Sequence, residues 1–130
     1  MRALQLVLKK KWFDMIASGE KKEEYREITP YWAKRITQYF DYPKGCEIDA
    51  QMKHVMRSYL DGREIFDGVM FYLGYAKDRP KMYVPIERIT IGTGNPDWGA
   101  ETGKQYFVIR IAPQWGETLR LESEVRRIGK

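Results

Sequence analysis

The chain has one cysteine, Cys46, and one histidine, His54, in 130 residues. A single cysteine allows no intrachain disulfide, which fits a reducing compartment. Neither residue has a partner at ligand spacing, so no metal site is expected. The same scarcity leaves Ser-His-Asp and Cys-His arrangements without support. No apolar run approaches the ~20 residues of a membrane span. Met1 to Leu4 runs directly into a strand pattern rather than the apolar core of a leader, and a cytoplasmic location is expected. Repeats, low-complexity tracts and linkers are lacking. The glycine-rich stretch 92–99 is not a Walker A loop, because no Gly-Lys-Ser/Thr follows. Nothing implies a cofactor.

What is present describes one domain spanning residues 1–130, long enough to bury roughly 68–70% of its unfolded surface without staples. The net charge is +5, with 23 Lys/Arg against 18 Asp/Glu. The excess lies near the start: residues 1–45 hold ten Lys/Arg and six Asp/Glu. A basic excess beside a candidate site favours anionic partners such as nucleotides or RNA, although many proteins of similar charge bind nothing acidic.

Hydrophobic periodicity gives a mixed α+β order. Leu4, Leu6 and Leu8 alternate as a half-buried strand. Residues 9–18 read as a short helix with Trp12 and Ile16 on one face, closed by Gly19 at a left-handed position. Residues 21–28 alternate, with Glu24, Arg26 and Ile28 opposite Lys21, Glu23, Tyr25 and Glu27. Thr29-Pro30 starts a helix, with Trp32, Ile36, Tyr39 and Phe40 as its apolar stripe. Asp49 caps a third helix that ends at Gly62. Further strands are expected over Val69–Tyr75, Met82–Ile91 with a bulge near Glu87-Arg88, and Phe107–Ile111. Residues 118–127 read as a final helix or a frayed tail.

The densest chemistry is in residues 18–26. The segment reads G-x-K-x-x-E-x-R, filled by Gly19, Lys21, Glu24 and Arg26. This spacing, the preceding strand and helix, the continuation through Tyr31-Trp32, and the segments 91–99 and 106–111 resemble the ASCH domain family of the PUA-like superfamily. The resemblance covers about residues 3–40 and 67–112. It implies a small β-barrel of five to six strands with three or four helices, here carrying an inserted helical segment at about 41–66. It also implies RNA or a modified nucleoside as ligand. Some bacterial members are amidohydrolases that deacetylate acetylcytidine, using a Lys at the position of Lys21, a Thr at the position of Glu24 and a Glu from a later loop. Glu24 departs from that pattern: a carboxylate donates no hydrogen bond unless protonated, and it would hold Lys21 charged.

Three functional readings follow. In the first, the protein binds RNA, a nucleoside or a nucleotide. Arg26 and Lys21 would contact phosphate or a base edge, Glu24 would accept from an amino group, and Trp98 or Tyr25 would stack, with Asn95 and Asp97 as polar readers. In the second, it is a small hydrolase acting on a nucleoside amide or on RNA, with Lys21 and Glu24 catalytic and Asp97 or Glu101 as the nearest later carboxylate. In the third, residues 31–60 dock a protein partner. Each site residue also has a structural reading. Glu24 and Arg26 could be an ion pair, Trp98 a plug of the barrel end, and Trp12 and Phe13 core residues beside the solvated Lys9, Lys10 and Lys11.

Overall fold

The computed structural model describes residues 2–63 and 65–116. The expected helix or tail at 118–127 lies outside the described residues. Five strands form one sheet: β1 (Ala3–Leu8), β2 (Glu23–Glu27), β3 (Gly68–Leu73), β4 (Lys81–Thr93) and β5 (Gln105–Ile111). Their spatial order is β1-β3-β4-β5-β2, parallel between β1 and β3 and antiparallel elsewhere. Among the described residues, three α-helices accompany them: α1 (Lys10–Ala17), α2 (Pro30–Thr37) and α3 (Ala50–Leu60). A 3-10 turn occupies Pro96–Trp98.

The sheet curls. β1 and β2 stand at opposite ends of the strand order, yet an Arg26 side chain on β2 reaches the Val7 carbonyl on β1. They do not pair through their backbones, so the expected barrel is an open half-barrel with a seam between β1 and β2. The long β4 makes the bend, and its register with β5 shifts between Ile86 and Arg88, at the expected bulge. Inside the curl, Leu4, Leu6, Leu8, Phe71, Val84, Phe107 and Ile109 pack against Ile16, Ile36 and Met56 from the three helices. Each such side chain contributes roughly 1.5–3 kcal/mol on burial.

Local signals place the helices. Gly19 adopts φ 84° after α1, and its N–H donates to the Ile16 carbonyl at 3.0 Å. The Thr29 hydroxyl caps α2 by accepting from the Trp32 N–H, with Pro30 at the first position. Asp49 caps α3 in the same way, accepting from Met52. The stripe drawn from Trp32 to Phe40 outruns its helix. Gln38 is left-handed at φ 63°, and the Thr37 hydroxyl accepts from the Tyr39 and Phe40 amides, so the chain turns there and α2 ends at Thr37. β3 likewise stops before Tyr75, where Gly74 turns the chain at φ 67°.

Candidate functional site

The open seam holds a cleft of about 910 Å3. β1 contributes Val7 and Leu8, β2 contributes Glu24 to Glu27, and α2 contributes Tyr31, Trp32 and Arg35. Trp12 from α1 and Trp98 with Gly99 complete one end. Eight of the lining residues are aromatic; four cations (Lys9, Arg26, Arg35 and Arg79) face two carboxylates (Glu24 and Glu27), a net of +2.

Antiparallel pairing with β5 sets the faces of β2. Glu24 and Arg26 lie opposite Ile109 and Phe107, on the core face, whereas Tyr25 lies opposite Val108 and packs with Ala100, Tyr106 and Trp98. Two charged side chains on a core face are tolerable because the sheet ends here and its edge has backbone groups to satisfy. Glu24 Oε1 accepts from the Tyr25 N–H at 2.9 Å. The Arg26 guanidinium donates to the Tyr25 carbonyl at 2.8 Å and, across the seam, to the Val7 carbonyl at 3.1 Å. Side chains thus close the gap that backbone hydrogen bonds leave open. This is more than the simple ion pair of the structural reading, because Arg26 straps the two sheet edges together.

Glu24 sits between two cations. Lys21 Nζ lies 3.3 Å from Oε1, and Arg26 Nη1 lies 3.2 Å from Oε2. The Arg26 contact lacks hydrogen-bond alignment, so the buried Oε2 keeps its acceptor capacity unfilled. Lys21 precedes the strand and is only 1% exposed. Its ammonium donates to the Trp98 carbonyl and stands 4.8 and 4.9 Å from the ring centroids of Trp12 and Tyr25. Burial drives the Lys21 pKa below its ordinary 10.5, and Glu24 opposes that shift. Lys21 therefore lies beneath the cleft, roofed by aromatic rings, rather than on its wall.

The Lys21 contact also anchors the 92–99 loop. Within it, Asn95 Oδ1 accepts from the Asp97 N–H at 2.9 Å and caps the 3-10 turn. The Asn95 N–H donates to the Tyr25 hydroxyl, which in turn donates to Glu23 at 2.9 Å. Burial raises the Tyr25 pKa further above its ordinary 10, keeping the phenol neutral. Gly94 lies against this ring: a Cβ there would stand 2.6 Å from two Tyr25 ring atoms.

Of the residues singled out in the sequence, Glu24, Tyr25, Arg26 and Trp98 line the cleft together, with Lys21 directly below. Asn95 and Asp97 do not line it; the Asn95 side chain is used within its own turn, and Asp97 is exposed. Glu101 is exposed too. Phe13 is core, as the structural reading had it, whereas Trp12 is half-buried and shared between core and cleft. Sequence reasoning missed Tyr31 and Arg35 and assigned Trp32 to the core stripe alone. The spacing of 31, 32 and 35, one turn apart on a helix that follows the motif strand, was the available signal. On α2 and α3, the segment considered for a protein partner, Tyr31 and Val55 are exposed, and Tyr39, just beyond α2, is 67% exposed and stacks on Tyr59. Among the described residues no group of three or more His, Cys, Asp or Glu is placed to hold a metal, and no helix is long and apolar enough to cross a membrane.

No protein-family model matches this chain, and no curated protein or solved structure is significantly similar to it.

Proposed function

We propose that the protein is a reader of nucleobase-bearing ligands, an RNA segment or a modified nucleoside or nucleotide, built on an ASCH-type, PUA-like half-barrel. The observation that carries this reading is the composition of the seam cleft: eight aromatic side chains and a net positive lining. Flat aromatic faces stack bases at ~1–3 kcal/mol each. A cationic lining attracts the phosphates. Glu24 Oε2, buried and 3.2 Å from Arg26, would accept from an exocyclic amino group, the polar edge that distinguishes cytosine and adenine, once a ligand displaces that contact.

A second reading, amide hydrolysis or RNA cleavage with Lys21 and Glu24 at the chemistry, draws support from the lowered Lys21 pKa beside a cleft. Its weakness is the cover over Nζ. Trp12, Tyr25 and the Trp98 carbonyl would have to move before a substrate atom reached it.

One experiment separates the readings: a thermal-shift screen against nucleosides, acetylated nucleosides, nucleotides and short RNAs, with each mixture analysed by mass spectrometry. A reader gives shifts without products. Loss of an acetyl group or cleavage of RNA, abolished by Lys21→Met in a folded variant, establishes the hydrolase. Silence across the panel rejects both and moves the weight to a protein partner at residues 31–60.

A further inference from the structure

Resting on the reading of the cleft as a nucleobase site, we infer that Arg35 is its anion anchor, and that the preferred ligand carries a phosphate group rather than being a free nucleoside. Arg35 lies on α2 one turn beyond Tyr31 and Trp32, with its guanidinium carbon 5.5 and 5.8 Å from their ring centroids. It lines the cleft, and among the described residues no hydrogen bond or ion pair engages its guanidinium; its Nε is buried without a hydrogen-bond partner there. A half-buried cation without a counterion is costly, and that cost is relieved when an anion arrives.

The neighbouring charges do not supply one. Glu24 is held by Lys21 and Arg26, and Glu27 is paired with Lys104 at 2.8 Å. Nor do the other cleft arginines compete as anchors. Arg26 spends its two terminal nitrogens on the Tyr25 and Val7 carbonyls, and Arg79 donates to the Gly74 carbonyl at 3.0 Å while lying over Tyr72. Arg35 alone among these arginines offers an uncommitted planar fork, whose geometry suits two phosphate oxygens at once. Its ring platform, Trp32, carries the Arg26 guanidinium at 5.3 Å, so a phosphate on Arg35 would sit next to a second positive charge.

The test is calorimetric titration of the full chain with the four common nucleosides and with their 5′- and 3′-monophosphates, for wild type, Arg35→Gln and Arg35→Lys. Circular dichroism and a melting curve confirm that each variant is folded. The expected result is a wild-type preference for at least one monophosphate over its nucleoside of roughly tenfold or more, the scale of a charge-assisted hydrogen bond. Arg35→Gln should bring the two affinities within about threefold by weakening only the monophosphate, and Arg35→Lys, which keeps charge without the fork, should fall between. If wild type binds nucleosides and monophosphates equally, or if Arg35→Gln keeps the preference, the anchor is overturned while the nucleobase reading stands. If wild type binds neither, the anchor is overturned, and the short-RNA and acetylated-nucleoside arms of the thermal-shift screen decide the nucleobase reading. Should Arg35→Gln not fold, Arg35→Lys decides by the same criterion: an undiminished preference overturns the inference.

Discussion

Replacing Glu24 with Gln removes one charge from a cluster of three and changes almost nothing in shape. The Lys21 and Glu24 side chains are 0% and 6% exposed, and that of Arg26 is 15% exposed. In the wild type the carboxylate lies 3.3 Å from one cation and 3.2 Å from the other. With Gln, the Tyr25 amide keeps its acceptor, but Lys21 and Arg26 face each other with no anion between them. Breaking a buried pair costs ~3–5 kcal/mol, because an uncompensated charge is left behind. The retained amide contact places this variant at the lower end, ~3 kcal/mol. For a domain of this size that corresponds to a fall in Tm of roughly 10–15 °C. Urea unfolding of wild type, Glu24→Gln, Lys21→Met and the double variant closes a thermodynamic cycle. Removing Lys21 as well should recover part of the loss, with a coupling energy of at least ~1 kcal/mol. A Glu24→Gln protein within ~0.5 kcal/mol of wild type, with no coupling to Lys21, would refute the view that these charges hold one another in a water-poor site.

Other consequences are equally open to measurement. Because burial lowers the Lys21 pKa below 10.5, the folded state binds fewer protons than the unfolded state between the two values; wild-type stability should therefore rise with pH as it approaches 10, and urea midpoints of Lys21→Met should lack that rise. Tyr25 and Tyr42, both with raised pKa values, oppose this as pH nears their ordinary 10, so the difference between wild type and Lys21→Met from pH 7 to 9 reports the lysine. Arg26→Lys keeps the charge but loses the strap to the Val7 and Tyr25 carbonyls, a predicted ~1–3 kcal/mol in urea unfolding. Gly94→Ala drives a methyl into the Tyr25 ring and should cost ~1–3 kcal/mol in the same assay. For a short RNA, Trp32→Ala and Trp98→Ala should each weaken binding by ~1–3 kcal/mol in a fluorescence titration.

Much of the frame was legible in the sequence because it follows from local rules. Period-two alternation located β1, β3 and β5, the Thr29-Pro30 and Asp49 caps fixed the starts of α2 and α3, and the bulge expected near Glu87-Arg88 is the register shift between Ile86 and Arg88. The failures are matters of tertiary context. Alternation shows that a strand has two faces but not whether its outer edge finds a partner, so the open seam could not be read. Arg26 looked like a free fork because its acceptors, the carbonyls of Tyr25 and Val7, include one 19 residues away. Lys21 looked like a strand residue facing a site, whereas the left-handed Gly19 turn and the Trp98 carbonyl place it under the aromatic rings. Arg35 was missed for another reason: its spacing from Tyr31 and Trp32 puts it on their helix face, but only the fold shows that it lines the cleft with its Nε buried and unpaired among the described residues.

The four tryptophans provide the most direct test of the cleft as a nucleobase site. Trp12, Trp32 and Trp98 line it, whereas Trp115 does not, and its indole N–H donates to the Ile16 carbonyl at 2.9 Å. Titration of isotope-labelled protein with nucleoside monophosphates and short RNAs, followed by the indole N–H resonances, reads all four at once. Binding in the seam should move the Trp12, Trp32 and Trp98 signals in a saturable way and leave Trp115 in place. Unmoved indoles throughout the titration, or a response confined to Trp115, would contradict it.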